Sequence, residues 1–144
     1  MEQQDTKPRH PPAIVATRQN RFYWEGATQR RLLCQHCTSC GWYMHPPVPI
    51  CSKCHSTDVE PAPVSGHGTI YAFTIVRRVF HTGFAQEVPY MLALVALAEQ
   101  PGLHVLSRIV DCEMDAASVG MPVYVTFASH GDWQLPVFRP ERNR

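Results

Sequence analysis

The second half of the chain is a succession of short apolar runs separated by turn residues, which is the pattern of a β domain. The first run, Thr69 to Val76, is rich in β-branched and aromatic residues. Tyr90 to Ala98 is apolar at almost every position, so periodicity alone leaves it as a buried strand or a helical segment. Because Pro101-Gly102 and a further apolar run, Leu103 to Val110, follow directly, we expect these two runs to form a hairpin.

Two shorter runs complete this domain. Val123 to Phe127 follows the turn residues Gly120-Met121-Pro122, and Leu135 to Phe138 comes last. Pro136 lies within the final run and cannot donate a backbone hydrogen bond, so we expect that strand at a sheet edge. Five strands in about seventy residues predict a small barrel or sandwich.

The N-terminal part of the chain has a different composition. Residues 1–16 combine prolines and charges with little apolar character, so we expect a disordered lead-in. Residues 17–33 form a predicted helical segment, with Thr17 as its cap and Gly26 as its stop. Neighbouring helical residues point about 100° apart, so one narrow face cannot bury three consecutive aromatic side chains. We expect two of them to pack inside and one to face solvent or a partner: Phe22, Tyr23 and Trp24.

Cysteines are concentrated between residues 34 and 62, where four of them form the pairs Cys37-x-x-Cys40 and Cys51-x-x-Cys54. Each such turn aims two thiolates at one point, and a structural Zn²⁺ takes four soft ligands in a tetrahedron. Gly41 supplies the permissive backbone that a tight turn needs. The pattern predicts a ribbon held by one structural Zn²⁺ with no open coordination position, and an iron site or redox-active dithiols are the alternatives.

A third CxxC spacing overlaps the first, because Cys34 precedes Cys37 by three residues. Cys34 follows two leucines, so we interpret it as a small buried hydrophobic residue, and we interpret the isolated Cys112 in the same way. Nearby histidines are possible substitutes, but four cysteines already complete a tetrahedral site. We therefore expect three histidines to lie outside the metal's coordination: His36, His45 and His55.

The charge balance argues against one class of function. The chain has 144 residues with 13 basic and 12 acidic side chains, a formal charge of +1. Four thiolates and one Zn²⁺ would take that charge to about −1, which is unlike a strongly basic nucleic-acid binder. The sequence contains no apolar run of roughly 18 residues and no apolar signal segment at its N-terminus, so we expect a soluble cytoplasmic protein.

Groups that could perform catalysis are scattered. The sequence has no GxSxG motif, no phosphate-binding glycine loop and no HExxH motif. No spacing pairs a nucleophile with a histidine. His81 lies in a predicted loop, Phe80 to Phe84, where functional groups are common, although a solvated histidine is the better interpretation of it. We therefore expect no catalytic residue in this chain.

Several motifs occur in a defined order: Phe22-Tyr23-Trp24-Glu25-Gly26, Cys37-x-x-Cys40-Gly41, Pro46-Pro47, Cys51-x-x-Cys54, Gly66-His67-Gly68-Thr69, Gly120-Met121-Pro122-Val123 and Leu135-Pro136-Val137-Phe138-Arg139-Pro140. This order resembles that of the zinc-ribbon/OB-fold family of acyl-CoA-associated proteins, long filed as a domain of unknown function. The resemblance covers about residues 20–140. It implies a mainly β fold with an N-terminal helical segment, a rubredoxin-like zinc ribbon over 34–62 and a five-stranded OB barrel over 63–144.

Members of this family are small accessory subunits that accompany thiolase-like acyltransferases, hydroxymethylglutaryl-CoA synthases, steroid side-chain aldolases and hydratases. The resemblance implies a non-catalytic scaffold subunit whose thiolase-like or ketosynthase-like partner carries the catalytic residues. We expect the ribbon and the aromatic helix to dock on that partner, and the barrel to contact an acyl-CoA thioester. Arg77 and Arg78, with Arg108, are candidates for CoA phosphates or a partner's acids, although neighbours in an extended segment point to opposite faces. His81 is a further candidate contact.

Two other functions remain open at this point. OB folds and zinc ribbons also bind single-stranded nucleic acids, and Tyr71 and Phe73 would share a strand face on which bases could stack. A stand-alone hydrolase or hydratase is the other alternative, although the sequence shows no catalytic set for one.

Overall fold

A computed structural model describes residues 10–142, so the first nine residues of the predicted lead-in lie outside the described part. The chain forms a helix and then eight strands, with a 3₁₀ turn at Thr82–Phe84: α1 (Arg21–Thr28), β1 (Leu33–Cys37), β2 (Tyr43–Met44), β3 (Val59–Pro63), β4 (His67–Val76), β5 (Tyr90–Leu97), β6 (His104–Ile109), β7 (Pro122–His130) and β8 (Trp133–Pro140). The first three strands form a small sheet in the order β2-β1-β3, and the other five close into a barrel in the order β4-β5-β6-β8-β7. The mainly β prediction is confirmed, and the C-terminal part is a barrel, not a sandwich.

The barrel interior explains the long apolar run of β5. This strand alternates strictly, and its inward residues are almost completely buried: Met91, Ala93, Val95 and Leu97. The predicted hairpin is confirmed, since β5 pairs antiparallel with β6 from Met91 opposite Ile109 to Ala96 opposite His104. Strand β5 is therefore the centre of the barrel wall, with β4 on its other side.

The expectation of an edge strand at Pro136 is wrong. Strand β8 lies between β6 and β7 in a closed barrel, so it has no free edge. It pairs with β7 along its whole length, but its ladder with β6 is a single parallel pair, Ile109 with Phe138. The carbonyl of Pro136 faces β6 and accepts a hydrogen bond from the Ser107 hydroxyl. The proline is tolerated because its missing N–H would point toward β6, where β6 and β8 form few backbone hydrogen bonds.

A β-bulge changes which side chains of β4 share a face. The register with β5 shifts between Ile70 and Ala72, which leaves Tyr71 as the extra residue. Ile70 is buried, and beyond the bulge Phe73 packs against the same core, whereas Tyr71 is exposed. Tyr71 and Phe73 therefore do not share a face, contrary to the alternating pattern that a regular strand would give.

The helix is shifted from its predicted position. It begins at Arg21. Thr17 and Asn20 close the turn before it, since the side-chain oxygen of each accepts a hydrogen bond from the backbone N–H of the other, at 3.2 and 2.7 Å, as in a capping box. The Arg21 N–H donates to the Thr17 carbonyl at 2.9 Å. Gly26 does not stop it but lies inside it, where an added Cβ would be 2.8 Å from the Leu33 side chain. The helix therefore packs closely against the start of β1.

The ribbon and the barrel are joined by specific contacts. The Gln100 side chain, in the β5–β6 turn, accepts a hydrogen bond from the Tyr43 N–H at 2.9 Å and donates one to the Tyr43 carbonyl at 3.0 Å. The side-chain amide thus pairs with the free edge of β2 in the way that the backbone of a neighbouring strand would. Leu32 and Cys34, at the start of the ribbon, belong to the barrel's buried core. The two parts thus pack against one another through both polar and apolar contacts.

Candidate metal centre and surrounding surfaces

The two CxxC turns bring four thiols together. The sulfurs of Cys37, Cys40, Cys51 and Cys54 all lie within 4.8 Å of one another. Two contacts of 3.6 Å cross between the turns, from Cys37 to Cys54 and from Cys40 to Cys51. In a tetrahedron with Zn–S bonds of about 2.3 Å, neighbouring sulfurs lie about 3.8 Å apart. The arrangement therefore fits a single tetrahedral Zn²⁺ with four thiolate ligands.

Both turns have the same backbone construction. Four residues after its first cysteine, each turn places a residue in the left-handed region, Gly41 with φ +79° and His55 with φ +62°. In each, that residue's N–H donates to the carbonyl of the first cysteine, at 2.8 Å in one turn and 3.0 Å in the other. His55 is thus the structural counterpart of Gly41 and completes the turn, which accounts for its place beside the cysteines without a ligand role.

Backbone N–H groups within the turns favour thiolates. The Cys51 sulfur lies 3.4 Å from the Lys53 nitrogen and 3.5 Å from the Cys54 nitrogen. Hydrogen bonding from Cys54 is the main cause that lowers the pKa of Cys51 to about 6. The backbone N–H of Cys40 lowers the pKa of Cys37 in the same way. The thiolate is the form that binds metal, so these N–H groups favour the state that a metal site needs.

The other cysteines and histidines lie elsewhere. Within residues 10–142, the four-thiol group is the cluster with metal-ligand geometry. Cys34 is fully buried in the barrel core, and this burial, followed by the charge of Glu99, raises its pKa to about 12. The His45 ring packs 5.0 Å from the Tyr23 ring, and burial lowers its pKa. Cys112 is half-buried in the loop after β6.

The three consecutive aromatic residues of α1 divide differently from the expected two inside and one outside. Tyr23 is buried in the core, and its ring meets the Trp24 ring edge-on at 4.9 Å. Phe22 and Trp24 are both half-buried and pack against the same core. Phe22 also lines a groove of about 570 Å³ between the helix and the ribbon, beside Gln35 and Pro61. Tyr23 offers little surface to a partner, whereas Phe22 contributes a partly exposed apolar ring to the groove.

The predicted phosphate contacts lie near the loop between β4 and β5. Arg77 and Arg78 are exposed directly after β4, and the Arg78 guanidinium lies 5.7 Å from the centre of the Phe80 ring. His81 is also exposed, and its Nδ1 accepts a hydrogen bond from the Gly83 N–H at 3.0 Å. This bond caps the 3₁₀ turn, so the geometry gives His81 a local structural role.

Arg108 is occupied by contacts within the chain. Its guanidinium donates to a Glu87 carboxylate oxygen at 2.8 Å and lies 4.1 Å from the Tyr90 ring centre. It also lies 5.3 Å from the Phe84 ring centre. Arg108 therefore holds the β4–β5 loop against the barrel, and it does not extend the Arg77-Arg78 pair as a free third cation. No residue pattern predicts this role, because it depends on loop residues far from Arg108 along the chain.

A cavity that sequence reasoning did not single out lies at the meeting point of β4, β7 and β8. It measures about 600 Å³, and its lining includes His67, Tyr124 and Arg139. The Arg139 guanidinium lies 4.6 Å from the Tyr124 ring centre, and His67 Nδ1 lies 3.3 Å from the Glu141 carboxylate. Asp111 also lines the cavity, so carboxylates balance the guanidinium groups and the lining does not select for anions. His67 and Arg139 both lie in motifs that carry the family resemblance, and this was the one feature of the sequence that could have pointed to the cavity.

Comparisons with known proteins identify the family. The model of the ChsH2 rubredoxin-like zinc ribbon domain matches residues 24–60, and that of the ChsH2 C-terminal OB-fold domain matches residues 62–128. Two relatives are named DUF35 domain-containing scaffold proteins. The one from Pyrococcus furiosus is 37% identical over 102 residues, covering 70% of this chain and 72% of the relative. The one from Methanothermobacter thermautotrophicus is 32% identical over 106 residues, covering 72% and 77%.

The chain belongs to the DUF35 family. The predicted resemblance is thereby confirmed, together with the ribbon and the OB barrel. A longer relative from Thermomonospora curvata, named a probable enoyl-CoA hydratase alpha subunit, is 38% identical over 143 residues. That match covers 96% of this DUF35 chain but 43% of the relative, so the chain spans less than half of that protein's length.

Two solved structures resemble the DUF35 chain. A chain of the structure described as "Ltp2-ChsH2(DUF35) aldolase" superposes with a TM-score of 0.79 at 37% identity, covering 90% of this chain and 98% of that one. A DUF35 protein of unknown function from Sulfolobus solfataricus superposes with a TM-score of 0.58 at 17% identity, covering 88% and 87%, which supports the fold alone. Among residues 10–142, no helix has the length and apolar character needed to cross a bilayer.

Proposed function

We propose that this DUF35 chain is a non-catalytic accessory subunit of an acyl-CoA enzyme complex, with the catalytic residues in a thiolase-like or ketosynthase-like partner. The observation that carries the proposal is the 37% identity to, and 98% coverage of, a chain in the two-component Ltp2-ChsH2(DUF35) aldolase. Relatives named scaffold proteins support the accessory role. The relative named an enoyl-CoA hydratase subunit supports CoA thioesters as the substrate class, and it makes a hydratase the second choice of partner.

In this proposal the metal is structural. Cys37, Cys40, Cys51 and Cys54 would hold one Zn²⁺, which supplies a rigid cross-link between the two turns. Four thiolates fill a tetrahedral coordination sphere, so no position is left for a substrate or an activated water. The metal would therefore keep the ribbon in shape for docking.

The remaining predicted contacts divide between partner and thioester. The groove beside Phe22 is the proposed contact of the helix and ribbon with the partner. Arg77 and Arg78 are exposed and are proposed to meet the phosphates of CoA or carboxylates of the partner, with His81 shaping the loop beside them. Within residues 10–142 no disulfide joins any of the cysteines, as is typical of a reducing compartment, and we place the complex in the cytoplasm.

Co-expression tests the proposal directly. The chain is produced together with a candidate thiolase-like protein from the same genome, and size-exclusion chromatography with light scattering measures whether a stoichiometric complex forms. Acyl transfer and carbon–carbon bond cleavage are then assayed for each chain alone and for the mixture. We expect activity to need the partner and to disappear when the partner's reactive cysteine is alkylated before mixing.

Two results would contradict the proposal. Turnover of an acyl-CoA by this chain alone would make it an enzyme. A chain that ignores the thiolase-like protein but retards a single-stranded oligonucleotide in a gel would instead support the nucleic-acid function.

A further inference from the structure

The outer surface of the barrel at β5 is unusually apolar. A strand of a barrel with a solvated exterior alternates between apolar residues inside and polar residues outside. In β5 the outward positions are apolar as well, and each remains partly exposed: Tyr90, Leu92, Leu94 and Ala96. Strand β5 therefore has the composition of a strand that is covered on both faces.

The apolar surface continues across both neighbours of β5. Ala72 of β4 pairs with Leu94, which pairs with Leu106 of β6, so the three side chains form a row on the outside of the barrel. Leu106 is 62% exposed. The bulge adds Tyr71, 58% exposed, whose ring stacks on His104 at 4.4 Å. We call this surface the barrel face, formed by Tyr71, Ala72, Leu92, Leu94, His104 and Leu106.

The loop between β4 and β5 borders the barrel face and adds to it. Phe80 in this loop is 79% exposed, and Val79 beside it is exposed as well. The ring of Phe84 lies 6.2 Å from that of Tyr90, at the start of β5, and Arg108 holds both. Large exposed side chains thus continue from the strands into the loop, and contiguous apolar surface of this kind marks an interaction site.

Charge indicates what kind of surface covers the barrel face. The outward positions of β4, β5 and β6 include no carboxylate. Arg77 and Arg78 border the face and make no ion pair with any residue that the structure describes, whereas Glu87 is already paired with Arg108. A complementary surface is therefore apolar at its centre and acidic at its edge. A second copy of the same face would present the same arginines without carboxylates to meet them.

We infer that the barrel face docks the catalytic partner chain, through a surface of that partner that is apolar at its centre and carries carboxylates opposite Arg77 and Arg78. The inference rests on the proposed function, because it assigns the surface through which the accessory subunit joins its partner. It differs from the expectation that the ribbon and the aromatic helix are the main docking surfaces and that the barrel contacts the thioester. It also explains why the loop is held by Arg108 beside the exposed apolar row.

The test compares two exposed apolar positions. Leu106→Asp places a charge at the centre of the barrel face, and Val119→Asp makes the same change at a residue that is 68% exposed in the loop before β7. Both point to solvent, so zinc content and thermal unfolding should match those of the wild type. Affinity for the co-expressed thiolase-like chain is measured by titration. We expect Leu106→Asp to weaken binding roughly 30-fold or more, and Val119→Asp to leave it unchanged within about two-fold.

A charge reversal tests the edge of the face independently. Arg77→Glu should weaken binding roughly ten-fold at low salt, and less as ionic strength rises, because it opposes the partner's carboxylates. Arg142→Glu, at an exposed position in the C-terminal segment, is the control and should have little effect. Ala72→Glu supplies a second change within the row in case Leu106→Asp impairs folding.

The possible failures are distinguishable. If the wild type forms the complex and both Leu106→Asp and Ala72→Glu bind equally well, the barrel face is not the docking surface, and the proposed function stands. If the wild type forms no complex, the proposed function fails and this inference fails with it. A wild-type dimer that Leu106→Asp dissociates, without any effect on partner binding, would assign the face to a second copy and overturn the inference.

Discussion

Replacing one predicted metal ligand should unfold the ribbon and leave the barrel intact. Cys51→Ser removes a sulfur that contacts Cys40 across the site at 3.6 Å. The ribbon has its own small core, separate from the barrel's, with three buried residues: Cys37, Met44 and Cys51. Met44 is the one that is not a proposed ligand, so the ribbon core depends almost entirely on the metal.

The magnitudes support this dependence. Burying Met44 contributes about 1.5–3 kcal/mol, and the half-buried residues around it raise the total to about 5 kcal/mol: Trp42, Val48 and Val59. Ordering about twenty residues between Cys37 and Asp58 costs roughly 20–40 kcal/mol in backbone entropy alone, which is far more than this small core contributes. Small zinc domains bind Zn²⁺ with about 10–16 kcal/mol, so the metal is a large part of what offsets that cost. Without the metal, the ribbon should therefore not remain ordered.

Metal analysis and hydrogen exchange measure the two parts of this prediction. Wild-type protein should retain one zinc per chain after dialysis against a mild chelator, and Cys51→Ser should retain almost none. Amides between residues 37 and 58 should then exchange rapidly, whereas those of β5 and β6 should stay protected.

Cys34→Ser is the matched control, because Cys34 shares a CxxC spacing with Cys37 but lies in the barrel core. It should keep its zinc and lose about 1–3 kcal/mol of global stability through a buried hydroxyl. Equal zinc loss from Cys34→Ser would refute the choice of ligands. A Cys51→Ser protein with full zinc and a protected ribbon would refute the structural role of the metal.

Three further predictions concern the fold. Gly66→Ala should cost at least about 2 kcal/mol, because Gly66 has φ +83° and an added Cβ would collide with the Val125 side chain; an unchanged urea midpoint would contradict this geometry. Gln100→Ala removes both hydrogen bonds to the Tyr43 backbone, so it should cost about 1–3 kcal/mol and speed exchange of the Tyr43 amide, and wild-type exchange would argue against this link. In zinc-loaded Cys112→Ser protein, Cys34, whose pKa burial raises to about 12, should be inert to Ellman's reagent at pH 8 until the protein unfolds, so rapid reaction of one thiol in the folded, zinc-loaded protein would show that Cys34 is accessible.

Local patterns predicted the elements whose partners lie nearby in sequence. The β5–β6 hairpin follows from two apolar runs around Pro101-Gly102, and the four-thiol cluster follows from two CxxC turns. Both depend on short-range geometry that residue type largely determines. The regular helix starts at Arg21, later than the sequence predicts, and the residues from Thr17 to Asn20 form the capped turn that leads into it.

Features set by distant pairing could not be predicted. Pro136 indicates an edge only if the neighbouring strand needs its N–H, and that depends on how β6 and β8 meet when the barrel closes. The bulge at Tyr71 arises from the register between β4 and β5, and no residue within β4 predicts it. The sequence suggests Arg108 as a cation available to a ligand. Its pairing with Glu87 could not be predicted, because Glu87 belongs to a loop whose shape the sequence does not specify.

The ambiguity of Tyr90 to Ala98 in the sequence has a physical meaning. The run was compatible with a buried strand or a helix because it lacks the alternation of a half-exposed strand. In the barrel it is a strand, and its inner residues account for half of its apolar character. The outer half is left partly exposed beside Leu106 and Tyr71, which an isolated barrel gives no reason to keep apolar. The sequence of β5 is typical of a strand that is buried on both faces, but within this chain only its inner face is buried. A partner that covers the outer face best explains this difference.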